Sequence, residues 1–291
     1  MGDELMSDAS GMGSVVREKG RRVLRTVTGS PLYGRALMLS RLPRLARKRD
    51  PTSRALVRAL RTTALGRTPC DEREWIGRIE ARRRELAADE TAVPPGFKPG
   101  SKGGAAAAWF APIEGPVPIW GISVLFSIPS AWGVFQMRLV RELAPKSCLE
   151  LGTGLGLSAA YQAAALELNR AGMLTTLEGA HAWGAVAEQG LSALGLDGRA
   201  EVRLGPIDDT LAQVLERIAP IDYAFLDAEH TEEATLEHFD MLLPHVSVGG
   251  LVVLDDITFS IGMWRAWNAI RGRERVSTSL ALGRMGVVAV S

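Results

Sequence analysis

Apolar positions change their rhythm once along this chain. From about residue 14 to residue 86 they recur at helical spacing, for instance Leu37, Leu39, Leu42 and Leu45 among arginines, then Leu56, Val57 and Leu60. That spacing predicts several short helices. Beyond about residue 104, short apolar runs alternate with amphipathic segments, the pattern of β-α units around a mostly parallel sheet. The runs predict strands over 147–151, 173–177, 200–204, 223–226, 251–254, 277–282 and 285–290, with helices between the first five. Gly283-Arg284 alone separates the last two. That is too short for a crossover, so it predicts an antiparallel hairpin at the end of the sheet. Ser130 stands where it can cap a helix over about 131–143, which Pro145 ends.

Between the two regions, residues 94–104 read Pro-Pro-Gly-Phe-Lys-Pro-Gly-Ser-Lys-Gly-Gly, the density of turn formers expected of a linker. The predicted organisation is therefore a basic, mainly helical amino-terminal region with its linker over 1–103, and a doubly wound seven-stranded α/β domain over 104–291 whose last strand runs antiparallel.

At 291 residues, with 46% hydrophobic and 23% charged residues, the chain can bury a core without staples. The two cysteines, Cys70 and Cys148, are far apart and form no CxxC pair. Neither a disulfide framework nor a cysteine-zinc site is indicated, and a reducing, cytoplasmic setting is expected. The longest uncharged stretch, 115–137, contains Pro116, Pro118 and Pro129, which would break a spanning helix, so no transmembrane segment is expected. The formal net charge of +1 conceals an asymmetry: residues 1–100 hold 21 Lys and Arg against 12 Asp and Glu, the remainder 13 against 21. The basic region could be a solvated face on Arg-rich helices, a footprint for an anionic partner, a lid or a dimerisation element.

The chemistry is concentrated at strand ends. Residues 148–158 read Cys-Leu-Glu-Leu-Gly-Thr-Gly-Leu-Gly-Leu-Ser, an apolar strand running into a glycine turn and then a helix. Backbone at Gly152 and Gly154 can approach a ligand there, and the helix amino end offers N–H groups. Glu178 closes the next apolar run, where an acid can accept from ribose hydroxyls, as for an adenosine-containing ligand. The glycine spacing is not GxGxxG, which disfavours a nicotinamide dinucleotide. Two further runs end in Asp227 and in Asp255-Asp256. In a doubly wound sheet these carboxylates converge on one crevice, where they could bind a hard cation such as Mg²⁺ or cap the helices that follow.

On these residues the chain resembles the class I S-adenosylmethionine-dependent methyltransferases, and more narrowly the catechol O-methyltransferase-like bacterial family, over about residues 129–291. The resemblance implies a Rossmann-like methyltransferase sheet in which Glu150, Gly152, Gly154, Gly156 and Ser158 hold the methionine part of the cofactor. It implies that Glu178 holds the ribose, and that Ile207 and Asp208, in the segment Leu204-Gly205-Pro206-Ile207-Asp208, flank the adenine. Asp227, Asp255 and Asp256 fall on the family's metal ligands, the last in place of an asparagine, with Asp227 also beside the cofactor. His230 stands where the animal enzymes carry a general-base lysine. Its ordinary pKa near 6.5 would let it take a proton from a phenol at neutral pH. The implied activity is methyl transfer to the hydroxyl of a small-molecule acceptor, divalent-metal assisted, in a cytoplasmic enzyme that could be a homodimer. An RNA methyltransferase gripping phosphates with the basic helices, or a non-catalytic interaction protein on the same fold, are the alternatives. No Asn-Pro-Pro-Tyr-like or cysteine nucleophile element stands near Asp227, and the sheet region is acidic, both of which argue against nucleic acid. The aromatic residues Trp109, Phe110, Trp120, Phe126, Trp132 and Phe135 could wall an acceptor pocket or fill the core, as could Trp264 and Trp267.

Overall fold

The structure, a computed structural model, describes residues 31–66, 68–95 and 115–291. Three helices come first, α1 (Pro31–Leu45), α2 (Pro51–Leu65) and α3 (Cys70–Leu86). A short antiparallel pair, β1 (Ala92–Val93) and β2 (Val117–Pro118), leads to α4 (Ile119–Phe126) and α5 (Ser130–Leu143). Then follow β3 (Ser147–Leu151), α6 (Leu157–Asn169), β4 (Met173–Glu178), α7 (His181–Ala193), β5 (Ala200–Leu204), α8 (Ile207–Ile218) and β6 (Ile221–Leu226). The chain closes with α9 (Glu232–Leu242), β7 (Val246–Leu254), α10 (Ile261–Ile270), β8 (Val276–Leu282) and β9 (Met285–Val290).

The seven strands β3 to β9 form one sheet in the order β5-β4-β3-β6-β7-β9-β8, parallel except for β9, which runs antiparallel to β7 and to β8. This is the doubly wound sheet with a terminal hairpin that the run spacing predicts. Alternate residues face opposite sides. Cys148, Tyr223, Phe225 and Val253 belong to one apolar cluster, whereas Leu149, Ala224, Leu226 and Val252 belong to the other. Burial on both faces explains why the strands read as continuous apolar runs rather than as an alternation.

The amino-terminal helices share a core with the sheet. Leu56, Leu60, Ile79 and Leu86 lie in the same cluster as Trp132 and Phe135 of α5. Gly133 lets α5 close onto α6, because a Cβ there would collide with the Tyr161 ring. Tyr161 in turn donates to Glu80 of α3 at 2.5 Å. Several cationic and polar side chains of α1, α2 and the loop between them are spent on the sheet region: Arg41 and Lys48 donate to the carbonyls of Ala281 and Ser277, Thr52 to Gly249, and Arg58 pairs with Glu142. These contacts give Arg41, Lys48 and Arg58 of the basic face a structural role.

Two local expectations change. Ser130 is the first residue of α5, and the residue before it, Pro129, makes no side-chain capping bond. The prolines of the uncharged stretch bound α4 at eight residues, Pro118 standing at its entry, and α4 and α5 are bent by 67° to one another. Strands β6 and β7 begin earlier than their apolar runs suggest, β7 passing through Gly249-Gly250. The linker beyond residue 95, Trp109 and Phe110 lie outside the described residues. Among the described residues no single helix is long and apolar enough to cross a membrane.

Candidate functional site

The carboxyl ends of β3, β6 and β7 stand side by side, registered by Asp227 N–H donating to Leu151 O at 2.9 Å and Asp255 N–H to Leu226 O at 3.0 Å. Between β3 and β6 the winding reverses, with β4 and β5 to one side and β7 to the other. That is where a doubly wound sheet opens a binding crevice.

The turn after β3 is built from glycine for steric reasons. Gly152 has φ +92°, and a Cβ on it would collide with the carbonyl of Asp227 on the neighbouring strand end. Nothing lies within 4 Å of where a Cβ on Gly154 would sit, so that side of the turn is an open cradle. Gly156, at φ +84°, begins α6 with no side-chain cap, which leaves the first helical N–H groups, those of Leu157 and the buried Ser158, without an intrahelical partner.

A buried polar chain supports this turn. Thr153 Oγ1 meets Thr176 Oγ1 at 2.6 Å, Thr176 donates to Glu150 at 2.6 Å, and Gln162 donates to the other Glu150 oxygen at 2.7 Å. Burial pushes the Glu150 carboxyl up to about 8, against the pull of these hydrogen bonds. Glu150 therefore reaches the loop through two threonines. Glu178 accepts from Gly154 N–H at 2.7 Å and Ala180 N–H at 2.8 Å, and burial raises its pKa. A carboxylate has about four acceptor positions, so Glu178 keeps acceptor capacity for a hydroxyl donor beyond its backbone N–H partners. Ile207 and Asp208 open α8. One Asp208 oxygen meets His238 Nε2 at 2.9 Å, and the side chain is 68% exposed.

The aspartates are not helix caps. Thr231 caps α9 and Ser260 caps α10, each at 3.1 Å. His230 Nε2 lies 3.2 Å from Asp227 and 3.3 Å from Asp256, and its ring meets Phe259 edge-on at 5.8 Å. Glu229, His230 and Asp256 all have positive φ, at 56°, 49° and 51°. Such strain collects where a site is held in place by its surroundings.

The charge state of His230 differs from the sequence expectation. Burial pulls its pKa down, but hydrogen bonds to Asp227 and Asp256 and their charges outweigh this and push it up to about 10. It is an imidazolium at neutral pH rather than a base poised near 6.5. The folded value lies above the ordinary one, so the pair's contribution to stability is complete below about pH 6.5 and is lost as pH rises toward 10. An NMR titration of the imidazole, assigned with His230→Gln, is expected to show this high value, and Asp256→Asn is expected to lower it. A titration near 6.5 in the unaltered protein would contradict the pairing.

The expected Mg²⁺ site on Asp227, Asp255 and Asp256 does not fit these side chains. Arg284 takes both Asp255 oxygens, at 2.7 and 2.6 Å, and reaches Asp256 at 3.1 Å. His230 Nε2 meets one oxygen of Asp227 and the second oxygen of Asp256. Among the described residues no group of three or more His, Cys, Asp or Glu is arranged to hold a metal ion. Burial raises the Asp255 carboxyl, to about 7, against the pull of the guanidinium.

Residues 149–257 match the family described as a methyltransferase domain. This stretch contains the glycine turn, Glu178 and the three aspartates. Over these residues the chain is similar to a methyltransferase domain. A catechol O-methyltransferase from Niastella koreensis is 34% identical over 132 residues, 45% of this chain, and the match spans 58% of that protein's length. An O-methyltransferase from Bacillus cereus, solved with S-adenosylhomocysteine, superposes with a TM-score of 0.50 at 22% identity, covering 64% of this chain and 98% of that one. The O-methyltransferase of tomaymycin synthesis from Streptomyces achromogenes, solved with S-adenosylmethionine, gives 0.51 at 23%, covering 68% and 92%. These structural likenesses establish the Rossmann-like methyltransferase fold.

Not every expected residue meets at the crevice. Trp132 and Phe135 are buried against each other in the core, 6.1 Å apart and edge to face. Phe126 packs on Trp183, and Trp120 is exposed. Trp264 and Trp267 do not share an environment, since Trp267 is buried against Gly286 while Trp264 is 45% exposed. His238 is buried on Asp208. Arg284 was the main omission. Its only signal was a cation in the turn of the last hairpin, and nothing local says which strand end that turn meets.

Proposed function

We propose that this chain is an S-adenosylmethionine-dependent O-methyltransferase acting on a small phenolic or other hydroxyl acceptor in the cytoplasm. The observation that carries the reading is the glycine turn pressed against the Asp227 backbone, with Glu178 beside it, at the reversal point of a methyltransferase sheet. The similarity to a catechol O-methyltransferase supports oxygen as the acceptor atom.

In this reading Gly152, Gly154, Gly156 and Ser158 cradle the methionine part of the cofactor, and Glu178 takes the ribose hydroxyls. Ile207 and Asp208 bound the adenine side. The cofactor, when bound, supplies a methyl group already activated on a sulfonium, so the protein's task is mainly positioning and proton removal. Asp227 lies at the reacting end, where its charge favours a cation. His230, as the base, takes the acceptor's proton at its imidazole, and Asp227 and Asp256 stabilise the cation that results. With a pKa near 10 the imidazole matches a phenol, whose own value is about 10. The same pairing keeps the base form scarce at neutral pH, so turnover should rise toward alkaline pH.

Calorimetric titration of the full chain with S-adenosylhomocysteine tests the reading. Micromolar binding is expected, with Glu178→Ala weakening it at least about 30-fold, the order expected when two charge-assisted hydrogen bonds are lost. Absence of binding by the unaltered chain would overturn the proposal.

A further inference from the structure

We propose that the Arg284 guanidinium takes the place of a divalent cation in this site, so that Asp255 and Asp256 are organised by a side chain of the protein itself. This rests on the methyltransferase reading above and adds to it a cation supplied by the fold.

The sheet register builds the arrangement. β7 and β9 pair antiparallel with Leu254 opposite Gly286. Continuing that register by two residues sets Arg284 opposite Asp256, and Ile257 N–H donates to Arg284 O at 2.9 Å, which fixes the turn to this strand end. Gly286 lets the hairpin lie close, because a Cβ there would meet the Trp267 ring in α10. The guanidinium then grips Asp255 with a two-pronged contact and reaches Asp256 with the same nitrogen that holds one Asp255 oxygen.

A planar fork of this kind matches a carboxylate in geometry as well as charge. The Asp255 side chain is fully buried, and each of its oxygens has a guanidinium nitrogen within 2.7 Å. A metal ion could use Asp255 only by expelling a cation held by the hairpin, and an ion beside an intact Arg284 would face like charge at contact range. Arg284 thereby does the organising part of a metal's work. It draws Asp255 and Asp256 together and leaves the second Asp256 oxygen on His230, 3.3 Å away. It touches carboxylates rather than the acceptor, so it is a positioning residue.

The test uses the full chain, with Mn²⁺ as a paramagnetic probe and S-adenosylhomocysteine calorimetry on the same samples. The unaltered protein is expected to retain no Mn²⁺ at about 100 µM, a concentration at which an open carboxylate cluster begins to fill. Its S-adenosylhomocysteine affinity should be unchanged by EDTA. Arg284→Gln should uncover the aspartates and raise Mn²⁺ retention at least tenfold, whereas Arg284→Lys, which keeps the charge, should restore the metal-free state. One equivalent of Mn²⁺ on the unaltered protein, lost in Asp255→Asn, would overturn the proposal. So would Arg284→Gln that binds S-adenosylhomocysteine normally yet takes up no Mn²⁺. If Arg284→Gln fails to fold, the unaltered protein and Arg284→Lys decide by the same criterion, Mn²⁺ retained by either counting against the proposal. Failure of the unaltered chain to bind S-adenosylhomocysteine would instead strike the methyltransferase reading.

Discussion

Alanine at position 152 is expected to abolish S-adenosylhomocysteine binding while the protein stays folded. Two costs add at this one atom. The backbone there has φ +92°, outside the regions an L residue with a Cβ enters readily, which costs about 1–3 kcal/mol. The added methyl would also collide with the carbonyl carbon and oxygen of Asp227, which are backbone atoms held by the Asp227 N–H bond to Leu151 O. No side chain can swing aside, so the turn itself must move away from β6. About 3 kcal/mol of misfit corresponds to roughly 100-fold or more in affinity. Gly198→Ala, in the turn before β5, is the control, since nothing lies within 4 Å of the added atom and its φ is not positive. Calorimetry on both variants, with circular dichroism for folding, checks the expectation. Unchanged binding by Gly152→Ala would mean that this turn does not hold the ligand.

The second large effect concerns the attachment of the amino-terminal helices. Arg138 of α5 donates to Glu72 of α3 at 3.1 Å and to Thr68 Oγ1 at 3.0 Å, and both ionic side chains are more than nine-tenths buried. Removing one partner of such a pair strands the other charge away from water, at a cost of about 3–5 kcal/mol. Arg138→Met should therefore lower the unfolding midpoint by roughly 10 °C, taking about 2–4 °C per kcal/mol for a domain of this size. The double variant Arg138→Met with Glu72→Leu should recover most of that loss, because a neutral, packed pair leaves no charge behind. Thermal unfolding of the three proteins decides it. A single variant as stable as the original would show that the pair is not desolvated.

These two positions illustrate how unevenly the molecule was legible. The glycine turn could be read from residues 148–158 because its cause is local: a strand, a turn that must bend where a Cβ cannot go, and a helix start within eleven positions. The seven strands were legible for a related reason. A sheet covered on both faces demands continuous apolar runs, and the two-residue spacer before β9 admits only a hairpin. The ion pair between Glu72 and Arg138 had no such signature, since its partners are 66 positions apart and each is unremarkable among its neighbours.

The candidate site divides in the same way. Asp227, His230, Asp255 and Asp256 could be chosen from sequence because strand ends at a winding reversal gather in one place whatever their side chains do. What those side chains then do to one another was out of reach. His230 was expected near its ordinary pKa, but two carboxylates at 3.2 and 3.3 Å hold it charged. The aspartates were expected to await a metal, but the turn of the last hairpin delivers Arg284 to them. Both outcomes depend on distances between separate elements, to which electrostatic interaction is sensitive at the scale of an ångström or two.

By itself, then, the sequence determined the doubly wound sheet, its terminal hairpin, the glycine cradle and the set of acids that converge at the strand ends, because hydrophobic periodicity and backbone sterics act over a few neighbouring residues. Only the tertiary structure decided which cation meets those acids, which histidine is charged, and that the basic helices close onto the sheet through a common core. Those are matters of register and long-range packing, fixed only when every element is in place.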